Sequence, residues 1–166
     1  MVFLFKGVKM TNNEYIITKK GLKDLEERLN YLKTTARQEA SKEVGIARAY
    51  GDLSENAEYS DAKDKQGMIE AEIKELEEKI RKAEVIDESN LPTDVVVVGG
   101  KVKLYDEDFQ EEVTYHIVGT SENDPLNGLI SNVSPLGVAV LGHKAGETVE
   151  VSTPDGISKF KILEII

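Results

Sequence analysis

Leu22-Lys23-Asp24-Leu25-Glu26-Glu27-Arg28-Leu29-Asn30-Tyr31-Leu32-Lys33-Thr34-Thr35-Ala36 carries apolar side chains at 22, 25, 29, 32 and 36, in steps of 3, 4, 3 and 4. Alternating steps of three and four keep one face of a helix turned toward a partner, so this is a coiled-coil seam. A second seam follows at Ile69, Ile73, Leu76, Ile80 and Ala83. Paired in reverse order, from 22 with 83 to 36 with 69, the positions always sum to 105, which predicts antiparallel partners folding back between Asp52 and Leu53. Neither proline nor a polar loop run interrupts residues 19–88. Gly45 and Gly67 each cost up to about 1 kcal/mol relative to alanine and read as tolerated surface glycines, with a thin or bent stretch as the alternative. From Leu22 to Asp52, at a rise of about 1.5 Å per residue, the fold point lies roughly 45 Å from the base of the hairpin.

Toward that fold point leucine and isoleucine give way to Ala36, Ala40, Val44, Ala47, Ala57 and Ala62. Small residues bury little area but let helices approach closely. The taper fits either a coiled coil narrowing into its turn or a rod built to enter a channel. Charge changes along the same stretch: residues 28–48 hold Arg28, Lys33, Arg37, Lys42 and Arg48 against only Glu39 and Glu43. Arg37 and Arg48 lie close to three helical turns apart and share a face, with Lys63 brought beside them on the partner helix. Such a stretch is either a solvated flank with interhelical ion pairs or a surface for phosphates.

The chain has 166 residues, 40% of them apolar, enough for one domain or two small ones. Its longest apolar runs, such as Val95-Val96-Val97-Val98, are too short to cross a bilayer. The opening Met1-Val2-Phe3-Leu4-Phe5-Lys6 lacks the length and cleavage site of a secretory signal, and Met10 is an alternative start. Without cysteine there is neither a disulfide framework nor a thiolate site, and a cytoplasmic location is expected. A net charge of -10 argues against strong independent binding to duplex DNA. A monomer is expected.

Past residue 88 the pattern changes. Ser89-Asn90-Leu91-Pro92-Thr93 reads as a linker, followed by β-branched runs punctuated by Gly, Pro and Asp. Strands are expected at Val95–Val98, Val102–Tyr105, Glu112–Val118, Thr148–Ser152 and Ser158–Leu163, with a turn at Thr153-Pro154-Asp155-Gly156. Ser134-Pro135 ahead of Leu136–Leu141 reads as a short helix with serine as N-cap and proline at the first helical position. The predicted class is α+β, organised as a lead-in (1–18), an antiparallel coiled-coil hairpin (19–88) with its tip at 51–59, a linker (89–94) and a small antiparallel sheet with one short helix (95–166).

Gly51-Asp52-Leu53-Ser54-Glu55-Asn56-Ala57-Glu58-Tyr59 occupies the fold point. Asp52 with Glu55 three residues on is a variant of the capping box, and Glu55 and Glu58 suit the positive end of a helix dipole. Asp52, Ser54 and Asn56 imitate the first ligands of a calcium loop, yet Ala57 replaces its glycine and Lys63 its closing glutamate, so an EF-hand is excluded. What remains is an acidic pair with open coordination. Magnesium commonly takes one or two protein carboxylates, with waters and phosphates completing its six oxygens. His116 and His143 have no neighbours that suggest a ligand set.

This nine-residue stretch, with Ala47-Arg48 ahead and Ala62-Lys63 behind, resembles the tip motif of the Gre transcript-cleavage factors of bacterial RNA polymerase, in their GreA type. The likeness extends through Ala83-Glu84-Val85-Ile86-Asp87, Ile117-Val118-Gly119, Leu129-Ile130-Ser131, Ser134-Pro135-Leu136 and Thr153-Pro154-Asp155-Gly156. It implies an FKBP-like C-terminal domain that docks on the β′ coiled coil at the rim of the polymerase secondary channel, with the hairpin entering the channel. There the factor stimulates the polymerase's own active centre to cleave backtracked nascent RNA near its 3′ end, without being an enzyme itself. The resemblance assigns Asp52 and Glu55 to a Mg²⁺ ion shared with the polymerase, and Arg48 and Lys63 to contacts with the extruded RNA. It makes Asn56, Glu58 and Tyr59 tip-shaping residues, and it suggests Ser134 and Pro135 for docking. A non-catalytic channel binder, a prolyl isomerase and a simple coiled-coil adaptor are the competing readings.

Overall fold

The structure, a computed structural model, describes residues 15–50, 57–154 and 156–166, together with the backbone of 3–5 and 8–10. The chain divides into two compact units, Leu22–Lys82 and a second formed by Met1–Gly21 with Ala83–Ile166.

In the helical unit, α1 (Lys19–Tyr31) runs through a π-helical turn at Leu32–Ala36 into α2 (Arg37–Ala49), and α3 (Ala57–Lys82) returns antiparallel to them. Leu32, Ala36, Ile73 and Leu76 form its buried centre, with Leu25, Leu29 and Ile69 packed around them. These are the residues of the two predicted seams. The π turn was not anticipated, and it has a physical reason. The buried positions Leu32, Ala36 and Ala40 advance by four residues each time, which overshoots an α-turn of about 3.6 residues. A wider turn takes up the overshoot and keeps the stripe facing α3. The Thr34 hydroxyl donates to the Asn30 carbonyl at 2.8 Å within this stretch, a local bond that competes with the regular helix ladder.

The other unit is built on a five-stranded sheet in the order β7-β6-β5-β9-β8. Its strands are β5 (Lys101–Asp106), β6 (Glu111–Val118), β7 (Leu129–Ser131), β8 (Thr148–Thr153) and β9 (Gly156–Ile165), antiparallel except for β6 with β7. Val102, Leu104, Ile117, Val149 and Ile162 turn to one face and share a core with Val140 of α4 (Pro135–Val140), a short α-helix. Burying those side chains, at roughly 25 cal/mol per Å² of apolar surface, is what drives the sheet and helix together. Two further short pairs belong to this unit. They are the hairpin β1 (Phe3–Phe5) with β2 (Val8–Met10), and the parallel pair β3 (Ile16–Ile17) with β4 (Glu84–Val85).

Val95–Val98 is not a strand. All four valines are buried, and the segment is a connection whose backbone bonds go to a loop: Val96 N–H donates to His143 O, and Gly142 N–H to Val96 O, both at 2.9 Å. Gly100 N–H then closes a tight turn on Val97 O at 3.1 Å, with Gly99 at φ +90°. A continuously apolar run signals burial on all sides, and here burial comes without a sheet ladder.

The β3–β4 pair gathers the chain entering and leaving the helical unit. Glu84 N–H donates to Tyr15 O at 2.8 Å, and Ile86 N–H to Ile17 O at 3.0 Å. Thr18 caps the first turn of α1, its hydroxyl accepting from Gly21 N–H at 3.0 Å. Both the Thr18 amide, at 2.8 Å, and its hydroxyl donate to the Glu122 carboxylate. At the exit, the Ser89 hydroxyl and amide, aided by Lys19, hold the Asp87 carboxyl down at about 2.

Glycines separate tight from open positions. A methyl at Gly119 would stand 1.7 Å from the Ile16 carbonyl oxygen, whereas at Gly45 and Gly67 it meets nothing within 4 Å. Gly119→Ala is therefore expected to destabilise its unit by ~1–3 kcal/mol through overpacking, seen as faster hydrogen exchange at Leu104 and Ile117. Gly45→Ala and Gly67→Ala are each expected to stabilise the helical unit by up to about 1 kcal/mol. A helical melting midpoint that fails to rise for either contradicts the open-surface reading.

Candidate functional site

An alanine seam positions the side chains at the outer part of the hairpin. Ala40, Ala47 and Ala62 are buried where α2 and α3 meet, and the residues on either side of the seam form two flanks. On the first flank Arg37 donates to Glu70 through Nε at 2.7 Å and Nη2 at 2.8 Å, and Ser41 pairs with Gln66. Arg48, close to two helical turns beyond Ser41, is exposed on this flank. Lys63, also exposed, joins it from α3, its Nζ donating to Gln66 Oε1 at 3.0 Å. Lys42, one residue on from Ser41, is turned about 100° away from this stripe.

The basic character of the stretch is partly neutralised. The Arg37 fork holds the Glu70 carboxyl below the usual carboxylate range, and Glu70 in turn raises Arg37. Arg28 is committed to Glu72, Lys33 to Glu77 and Lys65 to Glu43. Among the described residues, Arg48 and Lys63 make no ion pair. The part of the stretch nearer the base is thus the ion-paired flank that the sequence allows.

Asp52, Glu55 and Asn56 lie outside the described residues. Glu58 is exposed and Tyr59 half-buried in the first turn of α3. Among the described residues no group of three or more His, Asp or Glu could hold a metal ion. His116 Nε2 lies 2.9 Å from Gly99 O and 3.1 Å from Glu88 Oε1, and His143 Nδ1 lies 2.8 Å from Glu147 Oε2. Each ring is engaged in local hydrogen bonding.

In the other unit Ser134 caps α4 as the sequence predicts. Its hydroxyl accepts from Gly137 N–H at 3.1 Å and donates to Ser131 O at 2.7 Å. Pro135 follows at the first helical position with its ring exposed. Among the described residues no helix is long and apolar enough to cross a membrane.

Two family models match the chain. One is described as transcription elongation factor, N-terminal, over residues 15–85, and the other as transcription elongation factor, GreA/GreB, C-term, over residues 91–166. The protein named transcription elongation factor GreA from Clostridium botulinum (strain Eklund 17B / Type B) is 52% identical over 152 residues, which is 92% of this chain and 95% of that protein. Its namesake from Clostridium beijerinckii is 51% identical over 154 residues, 93% of this chain and 96% of that protein. A solved structure, the GreA factor homolog 1 (Gfh1) of Thermus thermophilus, is 28% identical and covers 91% of this chain and 97% of that one, with a TM-score of 0.41.

Electrostatics on the first flank can be read by titration. Because Arg37 lowers the Glu70 pKa, the pair's contribution is full above the ordinary carboxylate pKa and is lost as pH falls through the lowered one. Arg37→Gln is expected to raise the Glu70 midpoint in a carboxyl NMR titration. An unmoved midpoint rules out the bidentate pair in solution.

Proposed function

The chain belongs to the GreA/GreB family of transcription elongation factors, and on that premise we propose that it acts on bacterial RNA polymerase as a stimulator of transcript cleavage. The observation that carries the proposal is the match of both family models, over residues 15–85 and 91–166, in a chain whose Asp52 and Glu55 fall in sequence between the antiparallel helices α2 and α3. In this reading the C-terminal unit docks on the β′ coiled coil at the rim of the secondary channel, and the hairpin enters the channel in which a backtracked RNA 3′ end lies. Hydrolysis is performed by the polymerase's active centre, and the factor contributes side chains rather than an active site of its own. Polymerase, and so this factor, works in the cytoplasm.

Asp52 and Glu55 are the donors proposed for a Mg²⁺ ion shared with the polymerase. Two carboxylates fit the chemistry of that ion, which leaves most of its six oxygen positions to water and phosphate. When bound, the metal supplies an activated water and charge stabilisation at the reacting phosphate. The chain's own contribution is to deliver carboxylate oxygens and to hold the RNA backbone. Two bare acidic groups repel phosphates, so phosphate attraction must come from cations placed behind them. Arg48 and Lys63, on one flank and free of ion pairs among the described residues, are the groups proposed for it. Asn56, Glu58 and Tyr59 shape the tip. Ser134, by capping α4, sets Pro135 at the surface, and this pair is proposed for the docking contact.

The test is a backtracked polymerase complex with end-labelled RNA. The wild-type chain is expected to shorten the transcript, and a factor that binds without shortening it is a channel blocker instead. Asp52→Asn with Glu55→Gln is expected to abolish stimulated cleavage while polymerase binding stays within about twofold. Normal cleavage by that variant removes the metal role. Arg48→Ala with Lys63→Ala is expected to lower crosslinking to the extruded RNA in a salt-dependent manner, and unchanged crosslinking removes the phosphate role.

A further inference from the structure

The second flank of the alanine seam has a different chemistry. Glu43, Ile46 and Tyr50 on one side, with Glu58, Asp61 and Lys65 on the other, line an open groove of about 350 Å³ within the helical unit. Its floor is Ala47 and Ala62, whose missing bulk leaves the depression between the two helices. Ile46 is 58% and Tyr50 72% exposed. They stand one helical turn apart beside the seam, and neither belongs to the buried cluster of this unit. Together with the alanine floor they give the groove an apolar lining.

Charge narrows what such a groove accepts. Lys65 is committed to Glu43, with Nζ 2.7 and 2.8 Å from the two carboxylate oxygens. Glu58 and Asp61 make no ion pair among the described residues, so the rim keeps a negative surplus around an apolar floor. Phosphates are repelled by such a rim, and the volume, at the lower end of ligand pockets, suits a few side chains. An aliphatic stem ending in an ammonium or guanidinium group complements both features at once, with the stem on Ile46, the cation beside the carboxylates and its face on the Tyr50 ring.

We propose that this groove docks a lysine- or arginine-bearing, aliphatic polypeptide segment of the polymerase, so that the hairpin presents one flank to RNA and the other to protein. The proposal rests on the function proposed above, and it assigns the opposite flank of the same hairpin to a second, chemically distinct contact.

Site-specific photocrosslinking in the full-length chain, bound to a backtracked complex with labelled RNA, tests it. With benzoylphenylalanine at Tyr50 the expected adduct is a polymerase polypeptide whose crosslinked peptide contains Lys or Arg, while the same probe at Arg48 labels RNA. A Tyr50 adduct on RNA, or no adduct while Arg48 labels, overturns the proposal. As a second measurement, Ile46→Ser with Asp61→Lys is expected to weaken polymerase affinity roughly tenfold with unchanged circular dichroism. Equal affinity overturns the groove contact alone, provided the wild-type chain shortens the transcript. Failure of the wild type to do so overturns the proposed function instead.

Discussion

Close approach of two helices over alanine is the constraint on which the outer hairpin depends. Nearer the base, Leu32, Ile73 and Leu76 bury enough surface to hold α1 and α3 together, and beyond them Ala40, Ala47 and Ala62 contribute proximity more than burial. The loss in apolar area is offset by interhelical ion pairs only weakly, since exposed pairs contribute little each. The gain is a narrow cross-section in which flanking side chains, rather than seam residues, make up most of the surface. Arg48 and Lys63 on one side, and Ile46 and Tyr50 on the other, are surface features because the seam between them is so thin.

Much of this was legible in residue spacing. Steps of three and four marked both helices and their antiparallel pairing, and the alternation in Val102, Leu104, Val149 and Val151 marked strands with one buried face. Ser134-Pro135 announced α4 because capping is local chemistry. The failures have a common cause. Val95–Val98 read as a strand because burial and strand pairing leave the same apolar signature, and only long-range bonds to His143 and Gly142 separate them. Ile16–Ile17 and Glu84–Val85 are too short for any periodicity, and the whole helical unit lies between them in sequence. The π turn is a response to packing against α3, which the first helix alone does not encode.

At the candidate site, spacing revealed which cations share a face but not which are already spent. Arg37 and Arg48 are alike in sequence, yet one is forked onto Glu70 and the other makes no ion pair among the described residues. The groove escaped notice for a related reason. Ile46 and Tyr50 look like ordinary helix residues until the bordering seam positions prove to be alanine.

The parallel pairing of β3 with β4 also bears on how the chain finds its fold. These strands are far apart in sequence, and joining such distant segments through a flexible loop carries an entropic penalty before any contact compensates it. A helical hairpin removes most of that penalty. The helical unit lies between these strands in sequence, so Ile17 and Val85 are joined through paired helices instead of through a long flexible coil. Long-range pairing within the sheet unit is thereby favoured by order within the helical unit.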